Sequence, residues 1–220
     1  MSPIAASMFV SILAVLPPVK YLPCTPGLEL RYRIEQDGKD TRSRITDRIR
    51  GLREVNARAR HPGFEQTTGL CIIDRKTEFG DDPPRDDAYA LEVLSDRVSS
   101  AGWVSQLVAL RTPLLKAPLE SGARWRFGAV EFRIVANRET MEVPAGRFEQ
   151  VLIVEERAMD GAPYRARTAY APGIGMIRRE EGGRVRLLIS VQRSRKIQPK
   201  RGVTGRDGPL PPVVSPSPQP

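Results

Sequence analysis

The sequence predicts a mainly β fold: a single curved antiparallel sheet or half-open barrel, with few short helices and a disordered C-terminal tail. Two observations carry this. Apolar and charged residues alternate with a period of two through most of the stretch from Leu28 to Val191. Turn signals built from Gly, Pro and Asp punctuate that alternation at short spacing, which leaves room for about nine to eleven short strands and little helix.

Taken in order, LELRYRI places Leu28, Leu30, Tyr32 and Ile34 on one face, with charged residues opposite. QDGKD is a turn, and SRITDRIRGL, carrying Ile45 and Ile49, is the partner strand of a hairpin with one wet face. TGLCIID is a third strand, and FGDDPPRDD an acidic, proline-containing loop. AYALEVL reads as strand or as a short helix, and propensity alone does not decide. WVSQLVAL reads as one strand, followed by TPLLKAPLESG as a proline-punctuated connector. In ARWRFGAVEFRIV, residues Trp125, Phe127, Phe132 and Ile134 keep one phase only if Gly128-Ala129 shifts it, and a β-bulge there would do so. ETMEVPAGRFEQVLIVEERA holds two strands around Pro144-Ala145-Gly146, and PYRARTAYA continues the alternation. GMIRREEGGRVRLLISV is a hairpin in which Val185, Leu187, Ile189 and Val191 share a face, and Leu188 alone breaks the rule. The organisation is therefore a leader-like apolar segment at 1–20, a β domain at 21–194 and a Pro-rich basic tail at 195–220, too poor in apolar residues to order itself.

At 220 residues and 40% hydrophobic content, one domain with a core is expected. The net charge of +9 points less firmly to nucleic acid than it first suggests. Residues 28–60 and residues 195–220 each carry a net +4, whereas 61–194 sum to zero, so the excess is not gathered on one folded surface. No specific nucleic-acid partner is expected.

The run from Ile4 to Leu16 is uncharged and ends at Pro17-Pro18. It falls short of the roughly 20 residues that span a bilayer and suits the apolar region of a secretory signal. Basic residues before it and a small-x-small cleavage site after it are both missing. The expectation is export to the cell envelope or periplasm, with membrane association through this segment; a cytoplasmic protein with a buried apolar N-terminus is the competing reading. Cys24 and Cys71 then form a disulfide if the chain is exported, or stay as two buried thiols.

Chemistry is sparse. APGIG at 171–175 lacks the lysine of a phosphate loop and precedes a strand, so it reads as a Pro-Gly bend. His61 is the sole imidazole, no nucleophile elbow exists, and ligands for structural zinc are too few. The doublets Asp81-Asp82, Asp86-Asp87, Glu155-Glu156 and Glu180-Glu181 are neighbours on strands or loops; strand neighbours point to opposite faces and do not make an acid–base pair. No catalytic residue, metal or cofactor is assigned.

Three pieces in the C-terminal half carry a resemblance: LESGARWRF, TMEVPAGRFEQVLIVE and YAPGIGMIRRE, a Gly-x-x-Trp, Val-Pro-Ala-Gly-x-Phe and Tyr-Ala-Pro-Gly-x-Gly signature. The chain resembles a group of bacterial exported, lipoprotein-like β-domain proteins of unknown function. YLPCTPGLELRYRI looks like the start of their mature domains, which implies that Cys24 lies inside the domain and is not a lipidated first residue. The resemblance implies a curved β-sheet similar to the half-open barrels of lipoprotein carriers, and no catalytic residues. The expected function is thus a non-enzymatic envelope protein binding a lipid, another apolar ligand or a protein partner on its curved sheet, with Trp103, Trp125, Phe127 and Phe132 as candidate ligand-binding residues. A carboxylate-based hydrolase and a basic nucleic-acid-binding β protein are the alternatives.

Overall fold

The computed structural model describes residues 16–22, 24–53, 69–103 and 106–193; the side chains of Arg53, Trp103 and 106–110 lie outside the described set. Most of the leader-like segment, His61 and the C-terminal tail also fall outside it.

The protein is almost entirely antiparallel β. After a one-turn helix α1 (Pro18–Tyr21) come β1 (Leu28–Gln36), β2 (Lys39–Arg53), β3 (Leu70–Glu78), β4 (Arg85–Val93), β5 (Arg97–Trp103) and β6 (Gln106–Lys116). They are followed by β7 (Arg124–Phe127), β8 (Val130–Val143), β9 (Gly146–Ala158), β10 (Arg165–Ala171), β11 (Gly175–Glu181) and β12 (Arg184–Arg193). All twelve form one sheet in the order β6-β5-β4-β3-β2-β1-β12-β11-β10-β9-β8-β7. Each strand neighbours its sequence neighbours, save at one place. β1 pairs with β12, so the ends of the domain close the ring, and the break falls mid-chain between β6 and β7.

Side chains bridge that break. Trp125 on β7 donates its indole N–H to the Pro113 carbonyl on β6 at 3.0 Å. Leu115 and Leu119, at 0% and 1% exposure, pack beside it in a cluster with Phe132, Ile134, Leu152 and Val154. Burial of such a side chain stabilises by about 1.5–3 kcal/mol. Pro113 fits here because an edge strand tolerates a residue without an N–H. The result is a nearly closed barrel, with its larger core cluster built around Leu28, Tyr32, Ile45, Ile73, Ile153, Ile177 and Leu188.

Three local expectations are corrected and one open choice is settled. There are twelve strands, because WVSQLVAL divides between β5 and β6 and the connector's Thr112–Lys116 stretch pairs with β5, for instance Leu115 with Val98. AYALEVL resolves to strand β4. Gly128-Ala129 is a hairpin turn and not a bulge: Phe127 pairs with Val130, Gly128 takes φ 56°, and Trp125 meets Phe132 across the two strands. A chain reversal shifts the period-two phase as a bulge does. Finally, β12 does not keep one phase. Its pairing with β1 slips between Arg31 and Tyr32, so Ile189 is the extra residue, and Tyr32 faces Leu188 while Ile34 faces Arg186. Leu188 and Arg186 thereby join the face that Leu30 and Tyr32 occupy.

The long β8–β9 hairpin is bent by register shifts between Ile134 and Met141. Its tip reaches β12, where the Ala145 N–H donates to the Leu188 carbonyl at 3.1 Å, just past the point at which β11 stops pairing.

Candidate functional site

The barrel interior holds a partly open cavity of about 330 Å³. Its walls come from β1–β6 and β10–β12, with Leu22 contributed by the segment after α1. Side chains in this interior follow a consistent order along the barrel axis. Moving towards the end that carries the β1–β2, β3–β4 and β11–β12 turns, six of the strands pass from apolar to polar. On β1 the step is Leu30 to Tyr32, on β2 Ile49 to Asp47, on β3 Ile73 to Arg75 and on β4 Leu91 to Tyr89. On β12 it is Leu188 to Arg186, and on β11 Met176 to Arg179. The cavity is amphiphilic because neighbouring antiparallel strands run in opposite directions and their sequences reverse the order to match.

At the apolar end, APGIG has a structural task. Gly173, at φ 74°, donates its N–H to the Lys20 carbonyl at 2.7 Å, while Ile174 and Gly175 line the cavity. On the other side a Cys24–Cys71 disulfide, with Cα atoms 5.6 Å apart, ties the chain after α1 to β3. The N-terminal turn is thus held between β3 and the β10–β11 bend, and Tyr21 adds a hydrogen bond from its hydroxyl to the Gln150 carbonyl at 3.1 Å.

The polar end is built on arginine. Arg75 forks onto Asp47, with Nε to Oδ1 and Nη2 to Oδ2 both at 2.7 Å, and its guanidinium lies 4.5 Å from the Tyr89 ring centroid. The Tyr89 hydroxyl donates to Asp47 Oδ2 at 3.2 Å. Burial would lower the Arg75 pKa, but the Asp47 carboxylate reverses this and holds it above its ordinary value. Burial raises Tyr32 and Tyr89, and the Asp47 charge adds to it, so both stay neutral. Arg179 is equally well served. It donates to Glu156 Oε1 at 2.5 Å, Thr168 Oγ1 at 2.8 Å, Tyr164 Oη at 3.2 Å and Glu181 Oε2 at 3.1 Å.

Arg186 differs. It stands directly across from Arg179 in the β11–β12 register and lines the same cavity. Among the described residues no hydrogen bond or ion pair reaches it. Burial, and next the charge of Arg75, push its pKa below the ordinary guanidinium value.

Asp47 is the single carboxylate on the cavity wall among the described residues, and its oxygens are occupied by Arg75 and Tyr89. A second hollow of about 720 Å³ lies between β2, β3 and β4, lined by Thr46, Arg48, Arg50, Asp74, Lys76, Asp86 and neighbours. Arg50 pairs there with Asp74, Arg48 with Glu29 and Lys76 with Glu78. On the β1–β2 hairpin, Arg44 pairs with Asp40 and Arg33 with Glu35.

The aromatic candidates fall elsewhere. Trp125 and Phe132 stack at 5.4 Å between centroids, 6° from parallel, in the core cluster beside the β6–β7 break, and Phe127 packs against that cluster. None of the three lines the cavity. Trp103 pairs in register with the cavity residue Tyr89, and its side chain lies outside the described residues. The carboxylate doublets do not converge: Glu155 is held by Arg165 and Arg157, Glu156 by Arg179 and Tyr164. Asp86 and Asp87 sit opposite Lys76 and Arg75 on β3.

The polar cavity residues were the ones sequence reasoning missed. Their signal was a charged or hydroxylated side chain in phase with an apolar face: Asp47 between Ile45 and Ile49, Arg75 two past Ile73, Tyr89 two before Leu91.

With this geometry in view, the architecture defines a class of protein, a nearly closed antiparallel barrel with an internal cavity. Among solved structures it is similar to a candidate exported protein with YmcC-like fold from Bacteroides fragilis NCTC 9343, at a TM-score of 0.52 and 13% identity, covering 81% of this chain and 99% of that one. A candidate lipoprotein from Parabacteroides distasonis ATCC 8503 aligns at a TM-score of 0.44 and 12% identity, over 77% of this chain and 97% of that one. The first likeness shows a shared fold. No protein-family model matches the chain, and no curated protein sequence matches it.

Proposed function

We propose that this is an exported, non-enzymatic protein of the bacterial envelope whose barrel interior holds a small, largely apolar ligand. One observation carries the reading: an interior cavity of about 330 Å³ walled by Leu22, Leu30, Ile49, Ile73, Leu91, Leu114, Ile174 and Met176. Pockets for small molecules begin at roughly 300 Å³ and are mainly apolar with a few placed polar groups. Export is supported by the leader-like run from Ile4 to Leu16, by the Cys24–Cys71 disulfide, which persists in oxidising compartments, and by the description of the Bacteroides fragilis neighbour. The hydrolase alternative draws no support from the cavity, where Asp47 is tied up by Arg75 and Tyr89.

The test is direct. Native mass spectrometry of protein from its host envelope should find an apolar molecule bound one to one. The neutral probe N-phenyl-1-naphthylamine should brighten and saturate at one site on delipidated protein. Protein that arrives empty and leaves the probe dark would sink the reading.

A further inference from the structure

The cavity wall carries three arginines, Arg75, Arg179 and Arg186, against one carboxylate, Asp47. Two of the cations are neutralised, Arg75 by Asp47 and Arg179 by Glu156 from behind the wall. Their partners are themselves saturated: Asp47 also accepts from Tyr89, and Glu156 from Tyr164. The hydroxyls nearby are committed too, since Tyr32 donates to the Met176 carbonyl at 3.0 Å. This leaves Arg186, at the polar end of an otherwise apolar interior, with its guanidinium donors unused among the described residues. Arg186 is half-buried and feels Asp47 only at a distance, so an anion in the cavity would be its first hydrogen-bonded partner among the described residues. The apolar-to-polar order repeated on the walls shows how that anion would be attached: its apolar part lies against Leu30, Ile49, Ile73 and Leu91, towards the N-terminal turn, and its head points to the hairpin end.

We propose that the ligand is an amphiphile with an anionic head, a carboxylate or a phosphate monoester on a short acyl or alkyl chain, and that Arg186 binds that head. This rests on the reading of the cavity as a ligand site and adds the charge and orientation of what enters it. Arg186 is a fork of donors matched to either head, whereas Arg75 and Arg179 have their donors committed to Asp47 and Glu156.

Calorimetric titration of the full, disulfide-bonded chain with octanoate, octyl phosphate and 1-octanol separates the two ideas. The wild type should bind at least one of the anions roughly tenfold or more tightly than the alcohol, as a charge-assisted bond implies. Whether octanoate or octyl phosphate leads distinguishes a fatty acid from a phosphorylated lipid as the source. Arg186→Met should bring the anions down to the level of the alcohol and leave octanol unchanged, while Arg186→Lys restores part of the preference. Because the wild-type comparison needs no variant, the idea stays testable even if a substitution fails to fold. Octanol bound as tightly as both anions overturns the anionic head and spares the cavity reading; no binding of any probe overturns both. A preference for anions that survives Arg186→Met assigns the head elsewhere and overturns the role of Arg186.

Discussion

Arg179 and Arg186 face each other across β11 and β12, on the same side of the sheet, in the same cavity. Around Arg179 the fold gathers two carboxylates, a threonine hydroxyl and a tyrosine hydroxyl. Around Arg186 no hydrogen-bond partner stands among the described residues, and the like charge of Arg75 outweighs the opposite charge of Asp47. The two therefore contribute to the folded state with opposite sign. A cation whose partners are supplied by the protein fastens β11 to β9 and β10; a cation without partners is tolerated at some cost to stability, which is how binding groups commonly differ from structural ones.

The sharpest way to break this contrast is to remove each guanidinium in turn. Arg179→Met strands Glu156, a carboxylate 8% exposed, and should cost about 3–5 kcal/mol in denaturant unfolding. Arg186→Met should fall within about 1 kcal/mol of the wild type or above it, since a half-buried guanidinium with no hydrogen-bond partner among the described residues is replaced by an apolar chain of similar length. Equal losses from both would end the argument. A smaller effect comes from the apolar end. Opening the disulfide with Cys24→Ser and Cys71→Ser, residues 47 apart in sequence, should cost about 2–4 kcal/mol, while leaving the difference between the two arginine variants unchanged because the sites share no partner.

The smallest expected effect is one of pH. Burial, and then the hydrogen bond to Glu156, raise Tyr164 from 10.0 to about 12. A raised folded-state pKa means that its contribution to stability is complete below pH 10 and disappears as pH climbs towards 12. All five tyrosines are shifted upward, so ultraviolet titration should show little tyrosinate below the pH at which the barrel opens. Tyr164→Phe should therefore lower stability below pH 10 and converge with the wild type as pH climbs towards 12, through Arg179's side of the contrast and not Arg186's.

The strands were legible because one wet face and one dry face write a period of two, and the Asp37-Gly38 and Gly182-Gly183 turns mark their hairpins. What misled was anything that changes phase without changing composition. The Gly128-Ala129 reversal imitates a bulge, while the real bulge at Ile189 hides within a clean-looking Val-x-Leu-x-Ile-x-Val run. That second case concealed the site, for it assigned Arg186 to solvent. Leu188, the single exception to the pattern, was the available clue. Trp125 and Phe132 pack where β6 and β7 fail to pair, away from the cavity wall. No sequence pattern could have matched Asp47 to Arg75 or Glu156 to Arg179, since each pair meets through sheet register between separate strands.

The ring is completed by its two outermost strands, Leu28 meeting Arg193. A nascent or threaded chain therefore has no finished wall beside β1 until its last strand has emerged, and every earlier fragment exposes that edge. Such long-range closure favours late, all-at-once assembly over stepwise folding from the N-terminus. Until then β1 keeps one unpaired edge, the kind of edge that invites pairing with another chain.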